Sequence, residues 1–200
     1  MQLNLIVAGV GGQGSVLASH IIAEAAIDKG FKVRVGETFG AAMRGGAVAS
    51  HVRIGEVSSP LIQRHKAQAI LALEPLEGLR VGLKFLAPTG IVILNTRPIP
   101  PVDVFMGKFV YPELEELVRI LKNLGKEVYA FDATQLAIEA GNPRTLNSVI
   151  LGALSASKVW PFPPEVLEEA IVARVPPQTR EVNLRAFQLG KKKMESLDGE

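Results

Sequence analysis

The chain has 200 residues, of which 48% are hydrophobic and 21% charged, enough to bury one substantial core. Its net charge of +2, from 22 basic and 20 acidic residues spread along the sequence, offers no broad positive field for nucleic acid, and no apolar run of membrane-spanning length is free of charges or Gly/Pro breaks. The absence of cysteine excludes disulfides, thiolate nucleophiles and Cys-ligated zinc or iron–sulfur sites from this chain, so any such redox centre would belong to a partner.

Leu3 to Ala8 is a short apolar run that ends in glycines, the pattern of a buried parallel strand. Val16, Leu17, Ile21, Ile22 and Ala25 then recur at helical spacing over 15–29, and Gly30 supplies a stop. The alternation at 31–35 predicts a second strand and completes a βαβ unit. After a second glycine-rich stretch over 36–46, residues 47–54 alternate, with Val48, Ser50, Val52 and Ile54 on one face and Ala49, His51 and Arg53 on the other.

Buried strands are predicted over 69–73 and 91–94, with a helix over 75–86 between them. The Pro-rich stretch 95–108 is predicted as a loop, 111–124 as an amphipathic helix and 127–131 as a last strand. From residue 133 onward the pattern is helical only: 133–140, 144–159, 164–173 and 178–197. The fold class expected is α/β, a three-layer, Rossmann-like and mostly parallel sheet. A single domain over 1–200 is expected, with an α/β core over 1–132 and a C-terminal helical segment over 133–200.

Two loops carry the functional signal. Gly9-Val10-Gly11-Gly12-Gln13-Gly14 satisfies G-x-G-x-x-G between a predicted strand and a predicted helix. Glycines admit a ligand close to the backbone, and the helix N-terminus offers free N–H donors to a phosphate. Glu37, 23 residues after Gly14, falls near where a dinucleotide-binding fold places a ribose-binding acid, so an independent NAD(P)- or FAD-binding protein is the alternative reading. The second loop argues against it. Glu37 to Gly46 places Arg44 between Met43 and the pair Gly45-Gly46, a guanidinium suited to an anion with accessible backbone around it.

Other residues read as structural. His20, His51 and His65 lack the spacing of paired metal ligands, His51 being the one placed to orient an anion or line an interface. Glu74, Glu77, Asp132 and Thr134 read as helix-start residues, and Gly14-Ser15 lacks the nucleophile elbow of a hydrolase. The start Met1-Gln2-Leu3-Asn4 lacks the basic stretch of a signal peptide, and a cytoplasmic location is expected.

Gly9-x-Gly-Gly-Gln-Gly14, Met43-Arg44-Gly45-Gly46, His51-Val52-Arg53-Ile54 and Ser59-Pro60-Leu61-Ile62 together resemble the gamma-type domain of the pyruvate/2-oxoacid:ferredoxin oxidoreductases. The resemblance continues through Asn147 to Gly152 and Asn183 to Gly190 and so covers nearly the whole chain; as a free-standing subunit it is most similar to the beta subunit of the indolepyruvate branch. The resemblance implies an enzyme that converts a 2-oxoacid to acyl-CoA and CO2 with thiamine diphosphate and reduces ferredoxin. It further implies an alpha subunit that carries the thiamine cofactor and the iron–sulfur clusters, and a gamma-type chain inactive alone and associated with coenzyme A. Gly9, Gly11, Gly12, Gln13, Gly14, Arg44, Gly45 and Gly46 are the implied cofactor-binding residues, with no catalytic or metal-ligating residue, and no nucleic acid or membrane as partner.

Overall fold

The computed structural model describes residues 1–40, 46–100, 104, 106–108 and 110–199. In chain order the elements are β1 (Leu3–Val10), α1 (Ser15–Asp28), β2 (Val33–Phe39), β3 (Ala47–Ile54), β4 (Ala67–Ala72), α2 (Pro75–Phe85) and β5 (Leu86–Asn95). They continue with α3 (Leu114–Leu124), β6 (Glu127–Phe131), α4 (Ala133–Ala140), α5 (Leu146–Ala156), α6 (Pro164–Arg174) and α7 (Arg180–Asp198). Short 3-10 turns at Pro143–Thr145 and Pro177–Thr179 lead into α5 and α7.

The strands form one sheet in the order β2-β3-β1-β4-β5-β6. β1 is buried along its whole length because both faces are covered, as the continuous apolar run predicts. Leu5, Val7, Leu71, Ile93 and Phe131 pack against α1 and the C-terminal helices, whereas Ile6, Ala8, Ile70, Val92 and Leu94 pack against α2 and α3. The result is the expected three-layer α/β arrangement, with β1, β4, β5 and β6 parallel.

The neighbour of β1 on its other side differs from the simple βαβ expectation. β3, not β2, pairs with β1, and it runs antiparallel to both β1 and β2. β2 and β3 are separated by the seven residues 40–46, too few for the long crossover that a parallel pairing would need. β2 also runs two to four residues later than the alternation at 31–35 suggests, through Glu37 and Thr38 to Phe39. Phe31 lies outside it and packs instead on the ring of Phe162, centroids 5.3 Å apart. Trp160 and Phe162 form the edge-to-face corner that turns the chain from α5 into α6.

The closing helices α5 and α7 cross at backbone distance. A methyl added at Gly152 would fall on the Phe187 carbonyl oxygen, and one added at Gly190 on that of Val149. Ser148 Oγ donates to Asn183 Oδ1 at 2.7 Å across the same pair, a buried bond that sets the register. At the far end of α7, Asp198 accepts from Tyr129 of β6 and from Lys158, and the Lys158 ammonium holds its carboxyl below the usual range.

Because the neighbours at both glycines are main-chain atoms, they cannot turn aside for a larger residue. Gly190→Ala is therefore expected to lose about 3 kcal/mol or more in urea unfolding, while Ala186→Gly, on the same helix, loses roughly 1–2 kcal/mol.

Candidate functional site

The Gly9–Gly14 loop leaves β1 at the carboxyl edge of the parallel strands and delivers the chain into α1. Gly12 and Gly14 have φ of 103° and 84°, backbone that a side chain would strain, and Gly14 is the N-cap of α1. No side chain caps this helix and its first turn contains no acid. The N–H groups of Gly12 and Gly14 find no protein acceptor among the described residues, and the first-turn amides of α1 lack intrahelical partners by geometry.

Gln13 faces the protein. Its Oε1 accepts from Val10 N at 2.8 Å and its Nε2 donates to Leu73 O at 2.9 Å, so the amide bridges the carboxyl ends of β1 and β4. This brace explains Gly9, where a Cβ would stand 2.7 Å from Gln13 Oε1 and 3.1 Å from Leu73 Cβ. From β5, Asn95 Nδ2 reaches the same Leu73 carbonyl at 2.9 Å and also Thr134 Oγ1 at the start of α4. The closing helices reach the loop as well: a Cβ on Gly14 would lie 3.2 Å from Asn147 Nδ2 of α5.

The second glycine loop meets the first through Gly46, whose carbonyl accepts from Gly11 N at 2.9 Å. The two loops are thus joined, but across the antiparallel β3 and not at the ends of two adjacent parallel strands. Arg44 and Gly45 lie outside the described residues. Glu37, the candidate ribose-binding acid, sits on β2 with β3 between it and β1, and its Oε1 is 3.6 Å from His20 Nε2. A dinucleotide fold requires that acid one strand from the glycine loop, so the geometry here does not match.

A crevice of about 670 Å³ opens beside the first loop, lined by Gly11, Gly12, Gly14 and Ser15 together with His20, Phe39, Val48 and Arg174. His20 and Arg174 belong to the site, and sequence reasoning missed both. Arg174 NH1 donates to Glu24 at 2.7 Å, and its NH2 lies 3.3 Å from His20 Nδ1. The only sequence hint was helical spacing, which puts Val16, His20 and Glu24 on one face of α1. Arg174, 160 residues beyond Gly14, had no such signal.

His51 is not at this site. It is 1% exposed, pairs in register with Ile6 and Gly36, and stands edge-on to Phe85 with ring centroids 5.0 Å apart. Its Nδ1 accepts from Ile62 N at 3.3 Å, while Nε2 has no partner among the described residues. Burial, reinforced by the nearby Lys84 ammonium, lowers its pKa from 6.5 to about 4.

Glu74 and Asp132 cap their helices as expected, whereas Thr134 lies inside the first turn of α4 and bonds the Asn95 side chain of β5 instead. Glu74 accepts from Glu77 N at 2.9 Å, and Asp132 from Gln135 N at 2.8 Å. Glu74 also receives Ile99 N and the hydroxyl of Tyr111, so one buried carboxylate ties down both ends of the 96–113 excursion. Burial and that carboxylate push the Tyr111 phenol above its ordinary range. Glu77 pairs with Arg80.

Two outcomes follow. Gln13→Glu replaces the donor that faces Leu73 O with an acceptor and is expected to destabilise the chain by about 1–3 kcal/mol in urea unfolding, whereas a purely ligand-facing Gln13 would leave stability unchanged. For His51, the neutral ring is favoured in the folded state, so its contribution is intact above the unfolded pKa of 6.5 and is lost as pH falls toward about 4. The loss reaches roughly 3 kcal/mol, and His51→Phe should flatten that part of the stability–pH curve.

Comparison with known proteins agrees with this geometry. The pattern of the family described as pyruvate ferredoxin/flavodoxin oxidoreductase matches residues 4–193. The chain is 44% identical over 200 residues to the indolepyruvate oxidoreductase subunit IorB of Thermococcus kodakarensis, covering 99% of this chain and 98% of that one. It is also 44% identical to the IorB of Pyrococcus horikoshii, over 96% of this chain and 95% of that one. Among solved structures it resembles the gamma subunit of keto/oxoacid ferredoxin oxidoreductase from Geobacter sulfurreducens, with a TM-score of 0.69, 28% identity, and coverage of 97% of this chain and 99% of that one. With a match that runs almost end to end in both sequence and fold, the chain belongs to the pyruvate ferredoxin/flavodoxin oxidoreductase family as a gamma-type subunit.

Proposed function

We propose that this subunit of a 2-oxoacid:ferredoxin oxidoreductase holds the phosphate-bearing part of coenzyme A against the first glycine loop, beside a reaction centre carried by a larger alpha subunit. The observation that carries the reading is the uncapped N-terminus of α1, where Gly12 and Gly14, whose N–H groups find no acceptor among the described residues, line a crevice of about 670 Å³. The residues fit the group: backbone donors and the helix dipole suit a pyrophosphate, no acid stands in the first turn, and Phe39 and Val48 offer apolar surface to an adenine ring. Gln13 positions the loop from behind, and Arg44, with Gly45 and Gly46, supplies the anion contact from the second loop.

The overall reaction is oxidative decarboxylation of a 2-oxoacid to acyl-CoA and CO2, with ferredoxin reduced. Thiamine diphosphate supplies the carbanion chemistry when bound, and with no cysteine in this chain the iron–sulfur clusters are assigned to the alpha subunit. Indolepyruvate is the favoured substrate, supported by the names and near-complete coverage of the relatives. The carboxyl edge is the face toward the alpha subunit, supported by Phe39 at 65% and Val110 at 92% exposure on the same edge as the glycine loops. Among the described residues no helix is long and apolar enough to cross a membrane. The complex is assigned to the cytoplasm.

Co-expression with a cysteine-rich alpha subunit is expected to yield a brown complex that reduces ferredoxin with indolepyruvate and CoA, while the chain alone shows no activity. In that complex Arg44→Ala should raise the KM for CoA about tenfold with little change in kcat, the loss of one charge-assisted contact. Tight NAD(H) binding by the lone chain, with no complex formed, would refute the assignment.

A further inference from the structure

The opposite edge of the sheet carries a second cavity that the reading above does not use. It encloses about 610 Å³ at the amino ends of β1, β4 and β5 and the carboxyl end of β3. The length of β1, about 25 Å, separates it from the first glycine loop. Arg53, His65 and Lys66 line it with amide and hydroxyl side chains that include Gln63 and Thr89, and no acid is among the lining residues.

Arg53 is built into place. Its Nε donates to Asn4 Oδ1 at 3.0 Å, and its NH1 donates to the carbonyls of Ser59 at 2.8 Å and Leu61 at 3.3 Å. Asn4 is itself buried and fixed, its Nδ2 donating to Lys66 O and its backbone N–H to Gln68. These bonds leave Arg53 NH2 without a partner among the described residues. The side chains of Gln63, His65, Lys66 and Thr89 likewise make no hydrogen bond or ion pair there, whereas Asn4 and Gln68 are spent on holding the wall. On the neighbouring strand the exposed Arg34 stands in register with Arg53 and adds positive charge at this edge of the sheet.

We infer that this cavity binds a phosphate-bearing small molecule through Arg53 and Lys66. With Nε and NH1 already used, Arg53 cannot present the coplanar fork that grips a carboxylate. A single NH2 edge and a point-charge ammonium from a different direction suit the tetrahedral oxygens of a phosphate instead. The volume exceeds that of a lone phosphate, and the amide-rich wall around Gln63 offers hydrogen bonds to the polar body of a phosphate ester.

The test is calorimetric titration of the purified chain with inorganic phosphate and with adenosine 5′-monophosphate. Saturable binding of the ester is expected, weakened roughly tenfold by Lys66→Gln, the loss of one charge-assisted contact. The Lys66 side chain is exposed and spends no hydrogen bond on the fold, so this variant keeps the folded state. His65→Asn is a second variant whose residue tolerates the φ of 56° at that position, and it should weaken binding less. Repeating the titration with a Gly12→Asp chain, whose exposed carboxylate repels anions from the glycine loop, separates the two sites: binding at the amino edge survives it. Absence of binding by either probe, equal affinity in the parent and Lys66→Gln chains, or loss of binding in the Gly12→Asp chain each overturns the inference.

Discussion

The carboxyl edge of the sheet is organised around one carbonyl group. Leu73 O, just beyond β4, accepts from Gln13 of the first glycine loop and from Asn95 at the end of β5, so that three parallel strands end in a common polar joint. A buried carbonyl with two lone pairs satisfied by two side-chain amides is a rigid point in low dielectric, and the glycine loop hangs from it. Gln13 must lie inward for this to work, and Gly9 must lack a Cβ to leave it room. The loop's openness toward the crevice therefore depends on a residue that does not face the crevice.

The C-terminal helices complete the same edge from the side. Close backbone contact of α5 and α7 at Gly152 and Gly190 fixes where α5 begins, and that sets Asn147 against Gly14 at the entrance of α1. Ser148 and Asn183 hold the pair against sliding. The two sequence stretches of the family resemblance that lie farthest from the glycine motif thus act on it through packing. On the other flank, Glu74 gathers Ile99 and Tyr111, so the Pro-rich excursion is tied to the start of α2.

The antiparallel β3 gives the two ends of the sheet different characters. At the carboxyl edge it joins the two glycine loops through Gly11 and Gly46 and displaces Glu37 from the place that a dinucleotide site needs. At the amino edge it delivers Arg53 beside Asn4, where the segment Ser59–Leu61 folds back to receive the guanidinium. Midway, the same strand buries His51 as a neutral ring against Phe85. One strand therefore serves both candidate binding regions and the core between them.

The amino-acid sequence by itself determined the elements, the mostly parallel α/β class and the position of the first glycine loop. Apolar periodicity and glycine backbone freedom are local properties and are written in neighbouring residues. It also placed the helix-start roles of Glu74 and Asp132, which depend on contacts three residues away. Tertiary structure alone decided that β3 lies between β1 and β2, that Gln13 faces inward, and that His20 and Arg174 meet beside the loop from positions 154 residues apart. Strand order and side-chain direction are settled by what packs on each face of the sheet, and those partners come from the far end of the chain.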